Sequence, residues 1–251
     1  MTDKPSVLRD TDDDARRLAR RLLHGGPHVA LAVVDAETGF PFASRVLAAT
    51  DSDGTPVILV SALSAHTRAL TADSRCSLLA GEQGKGDPLA YPRVTILARA
   101  ERVAVDDPAR VRLRRRFVLR HPKAALYIDF PDFAFFRLAP VSASLNGGFG
   151  RAYALEGTDI LGPRPDAEQF SEMEEEALAS LLAADPEAAA GIARTLSLPA
   201  SNDWRIAGLD AGGIDIASTD NTVGGRLEFP EPLQFTHSLI SYMGQTGPTI
   251  R

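Results

Sequence analysis

Six short β-prone segments crowd into the first 155 residues, most of them separated by turns and not by long helices. They cover residues 29–34, 42–48, 56–60, 76–80, 93–103 and 133–144. Turn signals at Asp35–Gly39 and at Asp51-Ser52-Asp53-Gly54 separate the first three. Strands joined this closely pair with their sequence neighbours in antiparallel order, whereas a parallel doubly wound sheet needs a helical crossover at each step. The expected fold is mainly β with helices, an antiparallel sheet or barrel. Three helices accompany it. Residues 12–24 start at Asp12 or Asp13 and repeat Ala15, Leu18, Ala19, Leu22 and Leu23 at helical spacing. Residues 65–72 form a short one, and residues 107–120 a third with Pro108 in its first turn.

The pattern changes after residue 157. A Gly/Pro stretch over 157–165 reads as a linker. Helices follow at 170–184 and 186–196, then strands at 204–209, 213–217 and 224–229, and a closing helix at 232–243. The expected organisation is therefore a barrel at 12–157 and a small α+β unit at 166–247.

Charge narrows the partners. With 27 Lys+Arg against 33 Asp+Glu the net charge is −6, which argues against a nucleic-acid or anionic-membrane binder but leaves room for a small basic pocket. Cys76 is the only cysteine, so no disulfide forms within the chain and no multi-cysteine metal site exists. It sits in an apolar run and is expected to be a buried, inert thiol. No histidine belongs to an HExxH motif. The first residues lack the basic and apolar regions of a signal peptide, and no stretch is long and apolar enough to span a bilayer. A cytoplasmic, soluble protein is expected.

Three places could carry chemistry. Ser61, Ser64, His66, Thr67 and Arg68 cluster where a strand turns into a helix, and helix N-termini attract phosphate. The alternative is that Ser64 only caps the helix while His66 and Arg68 face solvent. Asn146-Gly147-Gly148-Phe149-Gly150-Arg151 has the glycines for a close backbone approach or a tight turn, but not the setting of a dinucleotide fingerprint. Arg110, Arg112, Arg114, Arg115, Arg116 and Arg120 are threaded with Val111, Leu113, Phe117 and Val118, and read as a helix with a solvated basic face.

Several ordered motifs resemble the FMN-binding split-barrel family. They are residues 42–56 around Ser44-Arg45-Val46, the run Leu63-Ser64-Ala65-His66-Thr67-Arg68-Ala69-Leu70, Asp87-Pro88-Leu89, Pro92-Arg93-Val94-Thr95, Phe133-Ala134-Phe135-Phe136-Arg137-Leu138, and the glycine turn at 147–152. The branch resembled is that of haem-utilisation proteins related to pyridoxamine 5′-phosphate oxidase. Asp203-Trp204-Arg205-Ile206-Ala207-Gly208-Leu209-Asp210 and Leu227-Glu228-Phe229-Pro230-Glu231-Pro232 resemble the small domain often fused to it.

The resemblance implies a six-stranded antiparallel split barrel that forms a homodimer with FMN at the interface. It implies cofactor contacts from Ser44, Arg45, Val46, Ser61, Ser64, His66, Thr67 and Arg93, and flavin-dependent oxidation of a small-molecule substrate as the activity. Where the oxidases carry a lysine, this chain has His66, so the charge there depends on pH. In the appended unit, residues 180–186 keep Asp185 but lack the histidine of the usual Met-Asn-x-Asp-His motif. Two further readings stand beside the flavoenzyme. One is a haem-binding or haem-degrading protein with His237 as first candidate ligand and His66 or His121 behind it. The other is a non-catalytic barrel dimer that has lost its cofactor.

Overall fold

The computed structural model describes residues 8–82, 85–148, 150–163, 167–200 and 203–233. Its elements in chain order are β1 (Leu8–Arg9), α1 (Asp13–Gly25), β2 (Val29–Val34), β3 (Pro41–Val46), β4 (Ala48–Thr50), β5 (Pro56–Ser61), α2 (Ala65–Ala72), β6 (Arg75–Gly81), β7 (Arg93–Arg102), α3 (Ala109–Arg120), β8 (Phe133–Asn146), β9 (Ala152–Glu156), α4 (Gly157–Ile160), α5 (Ala167–Ala184), α6 (Ala188–Thr195), β10 (Trp204–Asp210), β11 (Gly213–Ser218) and β12 (Gly224–Glu228).

All six expected strands form, but the large sheet has nine. The segment at 42–48 breaks into β3 and β4, and β1 and β9 were not read. Two residues of β1 are too few to carry a period, and β9 follows the glycine turn so closely that it reads as part of it. The order is β1-β9-β8-β7-β6-β2-β3, with β5 on β8 and β4 on β5. Every pairing is antiparallel except β1 with β9. The 14-residue β8 forks the sheet. One edge pairs with β7 along its length, while the other takes β5 at residues 133–137 and β9 at 142–146.

Strand alternation sets the core. Leu31 and Val33 of β2, Leu78 of β6, Val94 and Ile96 of β7, and Leu145 of β8 all point inward and are buried. Helix α1 covers them with Ala15, Ala19, Leu22 and Leu23, and Asp12 caps it by accepting from the Ala15 amide at 2.8 Å. Cys76 is buried as expected, and burial pushes its thiol up to about 11.

The β7–β8 ladder slips register between Leu97 and Ala98, opposite Pro140 and Ser142. Proline has no N–H to donate, so a bulge is where a strand tolerates it. Gly157 packs onto this bulge, and a Cβ there would collide with the Pro140 carbonyl oxygen. The expected linker at 157–165 thus opens with α4, held by a Glu156–Asp159 capping box. Gly157→Ala is expected to cost about 1–3 kcal/mol through overpacking, measured as a lower midpoint in thermal unfolding. An unchanged midpoint would show that the bulge yields.

The second sheet, β10-β11-β12, packs with α5 and α6 around Phe170, Leu181, Ile192, Leu209, Ile214 and Ile216. Helix α3 lies between this layer and the barrel, and here the structure corrects the sequence reading. Arg116 and Arg120 are buried, not solvated. Arg116 donates to the Thr50 and Leu209 carbonyls and pairs with the buried Glu174. Arg112 pairs with buried Asp51, and Arg115 reaches Glu174 and Glu175. Only Arg114, paired with exposed Asp129, fits the solvated description fully. Of the helix expected at 232–243, Pro232 and Leu233 are irregular, and the remainder lies outside the described residues, as does His237.

Candidate functional site

The strand-to-helix turn between β5 and α2 gathers four of the expected site residues. Ser64 makes no side-chain cap. Its hydroxyl donates to the Ser61 carbonyl at 2.8 Å and lies 2.6 Å from Thr67 Oγ1, which donates to the same carbonyl at 2.7 Å. Ser61 Oγ donates to Asp132 Oδ2 at 2.6 Å and accepts from the Leu63 amide. His66 Nδ1 sits 3.1 Å from Ser44 Oγ. The turn is thus hydrogen-bonded within itself, with a carboxylate on its outer side that the sequence reading missed. Burial holds His66 below the usual imidazole range, so it is neutral at pH 7. The first-turn amides of α2 still have no intrahelical acceptors. A phosphate seated here would meet those amides and a neutral imidazole, with Asp132 opposing it.

Val46 and Ser44 point to the inner side of β3, opposite Val29 and Leu31 respectively, and Val46 is buried in the core. Arg45 points the other way, outward. It shares a row across the sheet with Ala30, Leu79, Thr95, Ser144 and Ala154. The adjacent row holds Ala43, Ala32, Ser77, Leu97 and Ser142. Leu79 is 45% and Leu97 51% exposed, so the outer face is a strip of small and apolar side chains open to its surroundings. Arg93 lies on that face two residues before Thr95, with Nη1 near the Leu89 and Tyr91 carbonyls. Three strand spacings separate the Arg45 and Arg93 strands, about 14 Å. Arg93 pairs with Asn146 and Ser61 with Phe133, at opposite ends of β8, so Arg93 is not brought to the Ser61 turn.

His28 precedes Ala30 at the same parity, and sequence reading passed over it because glycines and a proline hide it from any helical or strand period. Burial, with Arg45 beside it, holds His28 below the usual imidazole range. His121 is removed as a candidate ligand. Its Nε2 donates to the Ala48 carbonyl at 2.8 Å, Asn221 meets Nδ1 at 3.1 Å, and the ring is buried. The glycine turn resolves as a hairpin link between β8 and β9, with Gly148 and Gly150 at positive φ and Gly147 N–H donating to the Arg151 carbonyl.

A third cluster lies between α1 and the small sheet. His24 Nδ1 is 2.9 Å from Asp215 and 3.2 Å from Arg226, and Arg226 bonds both Asp215 and Asp210. All four are buried. Burial opposes ionisation of Asp215, but His24 and Arg226 outweigh it and hold the carboxyl well below its usual range. The Arg226 guanidinium fills the place a cation would take among these ligand-type side chains.

Residues 10–160 match the family model described as CREG, beta-barrel. A non-canonical haem oxygenase, HOZ, chloroplastic, from Arabidopsis thaliana is 30% identical over 162 residues, 62% of this chain. The chain spans about half, 49%, of that relative's length. Among solved structures, the protein Atu2129 of unknown function from Agrobacterium tumefaciens is 30% identical, with a TM-score of 0.78 over 92% of this chain and 94% of its own. A haem-binding protein from Mycobacterium smegmatis is 26% identical, with a TM-score of 0.54 over 96% of this chain and 98% of its own. No helix among the described residues is long and apolar enough to cross a membrane.

Proposed function

The chain belongs to the CREG β-barrel family, and from that premise we propose that it is a haem-binding protein that acts as a homodimer, with the tetrapyrrole held on the outer face of the large sheet. The observation that carries this reading is the exposed strip around Ala30, Leu79 and Leu97 with Arg45 and Arg93 on the same face. A planar apolar ring with carboxylate substituents fits such a surface, since each carboxylate would take a charge-assisted bond from a guanidinium. His28, held below the usual imidazole range by burial and Arg45, would offer a neutral ring to an iron bound there. An apolar sheet face of this kind also needs a cover, which a second copy would provide. The printed names of the Arabidopsis relative and the mycobacterial neighbour support haem. The division into a barrel at 12–157 and an α+β domain at 166–247 belongs to the same reading, supported by their separate apolar cores.

FMN is the second reading, favoured by the turn that opens α2. Its hydroxyls are engaged and Asp132 stands beside it, which makes it a weaker phosphate seat than the sequence implied. Titration of the purified chain with haem and with FMN separates the readings. A Soret band at about one haem per chain is expected, with affinity falling at least about tenfold in the Arg45→Ala, Arg93→Ala double variant. Tight FMN uptake lost in His66→Ala, without a Soret band, would replace haem by flavin. A dimer in sedimentation that takes up neither would leave the non-catalytic reading.

A further inference from the structure

We infer that the rim where the β5–α2 turn meets the segment before β8 is a binding site for a small organic ammonium ion, held by the Asp132 carboxylate and the rings of Tyr127, Phe130 and Phe133. The three aromatics stand at three-residue spacing. The Phe130 amide donates to the Tyr127 carbonyl and the Phe133 amide to the Phe130 carbonyl, each at 3.0 Å, so two successive turns gather the rings. The ring centroids of Tyr127 and Phe133 are 5.0 Å apart, and Phe130 meets Phe133 at 6.5 Å and an angle of 72°. Two rings near a right angle make a corner, and the negative faces of such rings attract a rounded cation. Phe133 packs on the apolar cluster that includes Leu113 and Phe117 of α3, while Phe130 is 53% exposed. The corner is thus anchored on one side and open on the other.

Asp132 supplies the charge. Its carbonyl accepts from the Ala62 amide at 2.7 Å, which pins it to the turn, and its Oδ2 accepts from Ser61 Oγ at 2.6 Å. Ser61 is the register partner of Phe133, and directly opposed residues share a face of the sheet. The half-buried carboxylate therefore stands on the side of the Phe133 ring. Ser61 is an uncharged donor, and among the described residues no cation lies within ion-pair distance of Asp132. The arginines nearby have other partners. Arg114 pairs with Asp129, Arg110 lies over the Phe135 ring, and Arg68 donates to the Leu63 carbonyl. At an open rim more distant charges are screened, so recognition rests on contact and not on net charge. A carboxylate beside aromatic faces suits an alkylammonium, and it repels the phosphate that the start of α2 would otherwise attract.

The site shares no residue with the outer-face strip, so its test is independent of haem. Tetramethylammonium chloride is titrated into the isotope-labelled full chain and followed by protein NMR shifts, with sodium chloride at equal ionic strength as the blank. The uncharged shape match, tert-butanol, is titrated in parallel. Saturable shifts are expected with a Kd of about 1–10 mM for tetramethylammonium, and at least about tenfold weaker binding of tert-butanol. Asp132→Asn, which keeps an acceptor for Ser61, should weaken tetramethylammonium at least about fivefold, and Phe130→Ala about threefold or more. Phe130 is exposed, so that variant decides alone if Asp132→Asn fails to fold. The proposal is overturned by the absence of saturable shifts, by equal affinity for tert-butanol, or by unaltered affinity in the folded variants.

Discussion

Arg226→Met is expected to destabilise the protein by about 3–5 kcal/mol, because it leaves Asp210 and Asp215 buried without a cation. Both carboxylates are almost wholly shielded, and both bond the Arg226 guanidinium directly, at 2.6 and 2.9 Å. His24 holds the far oxygen of Asp215 but does not reach Asp210 by any hydrogen bond described. For a chain of this length the loss corresponds to a midpoint about 10 °C lower in thermal unfolding. The triple variant, with Asp210→Asn and Asp215→Asn added, removes both carboxylates along with their shared cation and tests the cause. Removing a buried ionic cluster as a whole is often close to neutral, whereas removing one partner is not. The triple variant should therefore recover most of the loss. If it stays as unstable as Arg226→Met, packing of the long side chain and not its charge is what the site requires.

Stability is also expected to fall by roughly 3 kcal/mol between pH 6.5 and 4 through His121 alone. Burial, against a smaller opposing effect of the Ala48 carbonyl, holds this imidazole down at about 4. The sign follows from where protons bind. An unfolded histidine takes up its proton near pH 6.5, while the folded one resists until about 4. Acidification across that window therefore favours the unfolded chain, and above pH 6.5 the contribution is complete. Its neutral tautomer is fixed by its neighbours, since Nε2–H donates to Ala48 and Nδ1 accepts from Asn221. Urea unfolding from pH 7 to 4 measures the slope, and His121→Gln should flatten it. A slope unchanged in that variant would assign the effect to the other histidines, with His28 and His66 first because both are held low in the same sense.

Much of the barrel was legible because its strands are short, apolar and punctuated by turns. Every predicted strand appears within a few residues, and Asp12 caps α1 as its position implied. The small sheet was legible for the same reason. The charged interior was not. In α3 the buried set is Leu113, Arg116, Phe117 and Arg120, spaced i, i+3, i+4 and i+7. That is an ordinary core stripe, with two arginines in it. Treating arginine as a surface residue breaks the stripe, and the acids that favour its burial, Glu174 beside Arg116 and Asp215 near Arg120, lie far along the chain with no local signal to connect them.

At the candidate site, the sequence placed hydroxyls at the start of α2 correctly but could not show that they bond to one another, nor that Asp132 would arrive from a distant loop. Strand parity alone separates Ser44 and Val46 from Arg45. Applied to residues 44–46, it would have shown that one cofactor cannot touch all three side chains from one side.

The placement of α3 also sets an order of events at the ribosome. Arg116 is made 93 residues before Leu209, whose carbonyl it bonds, and 58 residues before Glu174, which neutralises it. At about 5–20 residues per second, several seconds pass in which Arg116 has the Thr50 carbonyl to bond but not yet the carboxylate that neutralises it. A chain stopped short of β10 therefore leaves Arg116 without the Leu209 carbonyl that it bonds in the finished molecule.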